Sequence, residues 1–292
     1  MSVYNINGDR LTASGKLVGA ILGATSEANR FLAMKQLFDI AEKIIDNPNY
    51  SPVASEFNLA ANGAVCLLPD HPAMYEQYSL RILWAKNGST QDESASTTKV
   101  MSLVTGLPFV DDIKEKVTLV AGDIESGSGN YFSAGDILTI EDIMYGMMLP
   151  SSNTCARAFA HFVGAKILGN TSASVADCVS AFVAEMNKKA ALLGCTGSTF
   201  DSPSGLSLTT LSTVTDMLRF TIEACSFQEI MRVWNKKSYD IIIGGSNPRT
   251  QTITTTVANE TLEASYYIFG GKTGHLTNAA DALVMVAEKV EA

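Results

Sequence analysis

The sequence has few of the side chains from which metal sites and histidine-based catalytic triads are built. It contains only three histidines, His71, His161 and His275, and they are far apart in the chain. Neither a zinc site nor a Ser-His-Asp triad is therefore predicted. The five cysteines are scattered and form no C-x-x-C pair, so we interpret them as small buried side chains rather than disulfides or metal ligands.

Long hydrophobic runs and an excess of positive charge are also absent. The longest apolar run, Leu17 to Ala24, has eight residues, whereas a transmembrane helix needs about 18 or more. It follows Arg10 and Lys16 as the core of a signal peptide would. No clear small-x-small cleavage site accompanies it, however, so we predict a strand. The net charge of −9 argues against nucleic acid and anionic membrane surfaces as partners.

The sequence is long and apolar enough for a full core. It has 292 residues, 46% of them hydrophobic, which suits one large domain or two closely packed lobes. The apolar run from Lys16 to Gly23 predicts a buried strand. Thr25 or Ser26 then caps a helix that extends to about Ile45, and the stretch Asn47 to Pro52 breaks it.

Strand and helix patterns alternate along the rest of the chain in the order β, helical block, β. We predict strands over about 63–68, 80–85, 239–243, 251–257, 266–271 and 282–287, and helices over about 140–148, 154–163, 175–193 and 215–224. A loop containing Pro69 to Pro72 joins the first two of these strands. Thr139 to Asp142 forms a capping box, and the methionine stripe that follows it is interpreted as core.

One serine and one lysine are spaced for nucleophilic catalysis. Ser96 precedes Lys99 by three positions at an apparent helix start, which places both side chains on one face. A serine hydroxyl needs a base to take its proton, and Lys99 can do so only if its pKa falls by roughly 3 units from about 10.4, a shift that burial or a second nearby cation can supply. By itself S-x-x-K is common, and a solvated first helical turn is the alternative.

Two further short motifs carry suitable chemistry. Ser151-Ser152-Asn153 follows Pro150, where a loop would point a hydroxyl and an amide into a cleft; an ordinary helix N-cap is the alternative. Lys272-Thr273-Gly274-His275 lies on an apparent strand. There Lys272 and Thr273 would offer a cation and a hydroxyl to a carboxylate, while Gly274 would let a substrate approach the backbone.

The three motifs in this order resemble those of the active-site serine penicillin-recognising enzymes. The context is most similar to the low-molecular-mass D-Ala-D-Ala carboxypeptidases, in the segments IEDIMYGMMLPSSNTCARAFAHFVG, FVAEMNKKAALLGCTGSTFDSPSGL and GGKTGHL. The resemblance extends over roughly Asn62 to Val290. The sequence departs from the family pattern at Ser152, where glycine is commoner, and at Ser202, where asparagine often precedes the proline. Neither change removes a group that the mechanism needs.

This resemblance implies an α/β (α+β) fold of the β-lactamase/transpeptidase type. We expect a single catalytic domain of two lobes with a cleft between them. One lobe, at about 1–95 and 235–292, would hold a five-stranded antiparallel sheet flanked by helices, and the other, at about 96–234, would be all-helical. No cofactor and no metal are implied.

The same resemblance implies a role for each motif. Ser96 would be the nucleophile and Lys99 its base, with Ser151 and Asn153 relaying protons and orienting the substrate. Lys272 and Thr273 would bind the substrate carboxylate, and Lys272 would also disfavour charge on Lys99 by repulsion. The backbone N–H groups of Ser96 and His275 would form the oxyanion hole.

The implied substrate is a peptidoglycan stem peptide ending in D-Ala-D-Ala, with β-lactam antibiotics as acylating ligands and an extracytoplasmic location. A serine β-lactamase or esterase of the same superfamily is an alternative, although the chain has no E-x-x-L-N motif for deacylation. A penicillin-binding sensor that acylates without turnover is another. The rate at which the acyl group leaves the serine distinguishes a carboxypeptidase, a β-lactamase and a sensor from one another.

The N-terminal segment KLVGAILGATSEANRFLAMKQLFDIAEKI is similar to the strand and long helix that these carboxypeptidases carry at the C-terminal end of the catalytic domain. We therefore predict a circular permutant, a rearrangement that is tolerated at exposed loops. The strand at Lys16 to Gly23 should then lie inside the sheet, between the strands at about 282–287 and 63–68. The helix after it should pack Phe31, Leu37, Phe38 and Ile44 on that sheet.

Overall fold

The computed structural model describes residues 3–4, 10–11, 15–68, 80–276 and 279–290, so the loop predicted around Pro69 to Pro72 and the side chain of His71 lie outside the described residues. The strands are β1 (Val3–Tyr4), β2 (Arg10–Leu11), β3 (Leu17–Ala24), β4 (Asn62–Leu67), β5 (Ile82–Lys86), β6 (Asp92–Glu93), β7 (Lys116–Thr118), β8 (Asp136–Thr139), β9 (Leu211–Ser212), β10 (Ser238–Gly245), β11 (Arg249–Thr254), β12 (Tyr266–Leu276) and β13 (Ala279–Lys289). The helices are α1 (Glu27–Asp46), α2 (Thr98–Gly106), α3 (Ile140–Met148), α4 (Asn153–Leu168), α5 (Val175–Leu192), α6 (Val214–Cys225), α7 (Gln228–Trp234) and α8 (Glu260–Glu263).

The main sheet has five antiparallel strands in the order β12-β13-β3-β4-β5. Its central strand β3 is apolar on both faces, and Leu17, Val18 and Ile21 are fully buried because the sheet is covered on both sides. Both the five-stranded sheet and the position of β3 between β13 and β4 are confirmed.

Helix α1 covers one face of this sheet, as predicted. Ser26 caps its N-terminus by accepting a hydrogen bond from the backbone N–H of Asn29. Its apolar side, with Phe31, Leu37 and Phe38, is buried in a cluster that includes the sheet residues Leu17, Ile21, Val65 and Leu283. The helix can lie this close to β3 because Gly19 has no side chain: a Cβ there would be 2.4 Å from the Met34 sulfur.

The opposite face of the sheet contributes to a core that it shares with helices α2 to α7. Val18, Ala20 and Leu22 belong to a second cluster with residues of α2 to α7. The methionine stripe of α3 lies within it, with Met144, Met147 and Met148 buried, so its interpretation as core is confirmed. All five cysteines are free thiols and four are buried, which also agrees with the interpretation from the sequence.

A second sheet has four strands in the order β11-β10-β8-β7. Strands β10 and β11 were predicted, but β7 and β8 were not, because three or four residues are too few to show a period of two. Helix α7 was not predicted either, because seven residues are about two turns, too short to establish the 3.6-residue period of a helix. Across the described ranges no helix is both long and apolar enough to cross a bilayer.

Candidate active site

Ser96 lies on a short 3-10 turn, Ala95–Thr97, that leads directly into α2. Side-chain bonds fix this turn: the hydroxyls of Ser94 and Thr98 are 2.8 Å apart, and Thr97 Oγ1 donates to Ser94 O at 2.5 Å. Ala95 adopts a left-handed conformation with φ +47°, which costs a non-glycine residue roughly 1 kcal/mol or more. Ser96 is thus held at a helix start by a strained, tightly bonded turn.

The Lys99 side chain is fully buried and contacts three acceptors. Its Nζ is 2.8 Å from Ser96 Oγ, 2.9 Å from Asn153 Oδ1 and 2.8 Å from Ser204 O. A neutral amine has two N–H donors and one lone pair. If Asn153 Oδ1 and Ser204 O accept hydrogen bonds from the two N–H groups of Lys99, the Lys99 lone pair faces the Ser96 hydroxyl, which is the arrangement required of a base.

Burial lowers the pKa of Lys99 to about 7, while the more distant charge of Glu125 acts in the opposite direction. We had expected repulsion from Lys272 to contribute at Lys99. Burial, the other cause considered from the sequence, is the one that lowers the pKa of Lys99. Repulsion acts at Lys272, whose pKa lies well below its usual range because of burial first, Lys99 second and Arg30 third.

The middle motif serves both purposes considered from the sequence. Ser152 is the N-cap of α4 and accepts from the backbone N–H of Cys155 at 3.2 Å. The residues on either side of it belong to the site. Asn153 bonds Lys99, and its Nδ2 donates to Ser126 O at 2.9 Å. Ser151 has φ +65°, is 5% exposed, and its hydroxyl has no hydrogen-bond partner among the described residues.

The third motif lies on β12, at the sheet edge that faces the Ser96 turn. Lys272 is fully buried and its Nζ donates to Thr273 O at 2.7 Å. Thr273 Oγ1 lies 2.6 Å from the hydroxyl of Thr256. A Cβ on Gly274 would be 3.0 Å from both Ala95 Cβ and Ser94 O, so the missing side chain lets β12 pack directly on the Ser96 turn.

These motifs meet at an open cleft of about 470 Å³. Four predicted site residues line it, namely Ser96, Ser151, Thr273 and His275. Lys99, Asn153 and Lys272 lie behind this lining and reach it through their neighbours. Sequence reasoning missed the other lining residues, which are Thr25, Ser26, Glu27, Arg30, Ser128, Pro150, Thr256 and Asp281.

One signal for these missed residues was present in the sequence. Arg30 shares a helix face with Met34 and Leu37, at spacings of four and seven, and is only 3% exposed. A charge on the apolar face of an amphipathic helix is rarely left unpaired, so its position indicated a buried partner. The identity of that partner, Asp281, could not be read from the sequence, since 251 positions separate the two residues.

Comparison with known proteins shows which protein family this chain resembles. A profile of the peptidase S11 family, described as D-alanyl-D-alanine carboxypeptidase, matches residues 69–292. The D-alanyl-D-alanine carboxypeptidase of Streptomyces sp. strain K15 is 26% identical over 215 residues, 71% of this chain and 72% of that protein. D-alanyl-D-alanine carboxypeptidase DacF of Bacillus subtilis is 26% identical over 138 residues, 46% of this chain but only 32% of DacF.

The crystal structure of the Streptomyces K15 DD-transpeptidase superposes with a TM-score of 0.62 at 25% identity, covering 72% of this chain and 85% of that one. Fold and site therefore define a protein of the penicillin-binding, transpeptidase-like class. Within that class, the chain belongs to the peptidase S11 family of D-alanyl-D-alanine carboxypeptidases.

Proposed function

We propose that this protein is a serine D-Ala-D-Ala carboxypeptidase that removes the terminal D-alanine from peptidoglycan stem peptides. One observation carries the proposal: the buried Lys99 amine, with a pKa of about 7, lies 2.8 Å from Ser96 Oγ in a cleft that also contains the other two motifs. The family match supports the reaction class.

In the acylation step, Ser96 Oγ attacks the carbonyl carbon of the terminal D-Ala-D-Ala bond while Lys99 Nζ takes its proton. The carbonyl oxygen becomes an oxyanion, and the backbone N–H groups of Ser96 and His275 stabilise it. Collapse breaks the C–N bond, and the leaving D-alanine amine needs a proton. Ser151, whose buried hydroxyl has no other partner in the described part of the chain, passes that proton from Lys99.

The carboxylate of the departing D-alanine is proposed to bind at the hydroxyls of Thr273 and Thr256, next to Lys272. A neutral Lys99 removes one of the effects that lower the pKa of Lys272, whereas burial and the charge of Arg30 continue to lower it; the negative charge of the bound carboxylate favours the cationic form of Lys272. Water then hydrolyses the Ser96 ester and regenerates the free enzyme. The protons in this cycle move among side chains, the leaving amine and water, so the proposed reaction calls for no cofactor.

Penicillin-type compounds are proposed to acylate Ser96 in the same way. The family acts on D-Ala-D-Ala peptides and binds such compounds, and its members are generally extracytoplasmic or associated with the cell wall. We propose the same compartment for this protein, where its substrate lies.

We also retain circular permutation as a proposal. The family profile begins at residue 69, yet β3 and α1, which precede that point, provide the central strand of the sheet and a wall of the cleft. Ala287 of β13 pairs with Leu17 of β3, so the end of β13 lies beside the start of β3. A short hairpin could join them and restore the family order. We likewise propose the two-lobe division at about 1–95 with 235–292, and 96–234.

We expect repeated release of D-alanine from a diacyl-L-Lys-D-Ala-D-Ala tripeptide, with loss of release in Ser96→Ala. Free D-alanine measured over time gives the result. Stoichiometric acylation without turnover would instead favour a sensor, and rapid clearance of penicillin with no D-alanine release would favour a β-lactamase. A Ser96→Ala variant that still releases D-alanine would contradict the assignment.

Acylation should depend on pH through Lys99. Its pKa is lowered to about 7, and only the neutral amine can accept the proton, so the acylation rate should rise through pH 7 and level off above about pH 8. Single-turnover acylation by penicillin at pH 5.5 to 9 measures this step without interference from deacylation. A rate that is flat or falls across pH 6 to 8 would contradict a lysine base.

A further inference from the structure

We propose that Arg30 is a positioning residue for the oxyanion hole, holding the Gly274–His275 peptide group so that the His275 N–H faces the cleft. The inference rests on the proposed function, because the oxyanion role of His275 belongs to that proposal. It assigns a part in the reaction to α1, outside all three sequence motifs.

The Arg30 guanidinium extends from the first turns of α1 to the ends of two strands. Its Nη1 donates to Gly274 O at 3.2 Å and to Asp281 Oδ1 at 2.9 Å, while Nη2 donates to Glu27 Oε1 at 2.6 Å. The side chain is only 4% exposed, and the residue lines the cleft that contains Ser96. The ion pair with Asp281 is enough to neutralise the charge of Arg30. The hydrogen bond to Gly274 O is therefore not needed for that purpose and indicates a second role for the arginine.

Peptide geometry supplies that explanation. The Gly274 carbonyl and the His275 N–H belong to one planar trans peptide group and point in opposite directions. A donor fixed on the carbonyl oxygen therefore fixes the direction of the N–H on the other side. It also polarises the amide, and such coupling strengthens a neighbouring hydrogen bond by about 10–30%.

The strand needs this support at residue 275. The pairing of β12 with β13 shifts register between Gly274 and Leu276, and His275 has no partner in the ladder. Residues 280 and 281 of β13 lie opposite His275, so the extra residue of this bulge is on β13, and His275 is the single residue that faces it. Bulges of this kind re-aim groups beside active sites and interrupt the ladder locally. Asp281 Oδ1 accepts from Arg30 and also lies 3.0 Å from His275 Nδ1, so one carboxylate within the bulge links the arginine to the unpaired His275.

Arg30→Met tests the proposal, with Lys35→Met as a matched control. Both variants remove one cation from α1. Arg30→Met breaks two ion pairs, with Glu27 and Asp281, and Lys35→Met breaks one, because Lys35 Nζ lies 2.7 Å from Asp39; Lys35 is not among the cleft-lining residues. Two quantities are measured: the second-order rate of acylation by penicillin, and the infrared stretching frequency of the acyl-enzyme ester carbonyl, which reports the hydrogen bonds that the carbonyl accepts.

We expect acylation by Arg30→Met to be about 10–100-fold slower, less than the 10²–10³ lost when an oxyanion donor is removed outright. The carbonyl band should move to higher frequency. Lys35→Met should change neither quantity. Because Arg30→Met leaves Asp281 without its main cation, the double variant Arg30→Met/Asp281→Asn removes that buried charge as well and should show the same slow rate and the same band shift.

An unchanged carbonyl band in either folded variant would overturn the inference even if acylation slowed, since Arg30 would then act on the fold or on substrate binding and not on the oxyanion hole. Failure of the proposed function has a different signature. In that case the unaltered protein forms no penicillin adduct, and both ideas fall together.

Discussion

Lys99→Arg is expected to abolish acylation of Ser96 by penicillin while the protein remains folded. Arginine keeps a positive charge and can still donate to Asn153 and Ser204, but it does not lose its proton at any accessible pH. Without a base, the Ser96 hydroxyl cannot give up its proton as it attacks. Intact-mass analysis after mixing with penicillin should show no adduct within a time that fully labels the unaltered protein.

The matched control for this variant is Lys189→Arg. Lys189 forms a partly exposed ion pair with Glu223 at 2.6 Å, which arginine can retain, and it lies outside the cleft lining. Its acylation rate should be unchanged. Near-normal labelling of Lys99→Arg would show that the proton goes to another group, and the assignment of the base would be wrong.

Removal of residues 1–46 is expected to prevent folding. The deletion takes away the central strand of the five-stranded sheet and the helix that covers one of its faces. Four of the lost side chains, Leu17, Val18, Ile21 and Leu22, are fully buried. At about 1.5–3 kcal/mol each they represent roughly 6–12 kcal/mol, as much as the whole net stability of a typical domain. Circular dichroism should show no cooperative thermal transition.

A rearranged chain provides the control for this deletion. Residues 15–46 are moved behind Val290 through a short Gly/Ser hairpin, which the pairing of Ala287 with Leu17 permits. If the protein is a circular permutant, this chain should fold and be acylated at a rate similar to that of the natural order. A deletion variant that still unfolds cooperatively, or a rearranged chain that does not fold, would contradict the permutation.

Much of the fold could be predicted from the sequence because the long elements repeat their patterns over enough residues. The apolar run of β3, the 3.6-residue period of α1 and the capping box of α3 each identify their element and its approximate ends. Short elements such as β7, β8 and α7 complete no such pattern. They exist because neighbouring segments pair or pack with them.

The candidate site was predictable to the extent that its chemistry is local in sequence. The three motifs identified Ser96, Lys99, Ser151 and Lys272, whose roles stay predictions, and the structure brings their segments together. Contacts between distant segments were not predictable. No pattern in the sequence joins Lys99 to the Ser204 carbonyl or Arg30 to Gly274, since backbone acceptors carry no side-chain signature. The sequence left two causes open for the lowered pKa of Lys99, burial and a second cation, and it could not decide between them because depth of burial is a property of the folded protein.

Proteolytic mapping of the penicillin adduct tests the central claim most directly. The account predicts a single adduct per chain, on Ser96, because among the described residues this hydroxyl has the neutral Lys99 amine at 2.8 Å and lies in the open cleft. An adduct on Ser151, or no adduct on a folded protein whose cleft is intact, would contradict it.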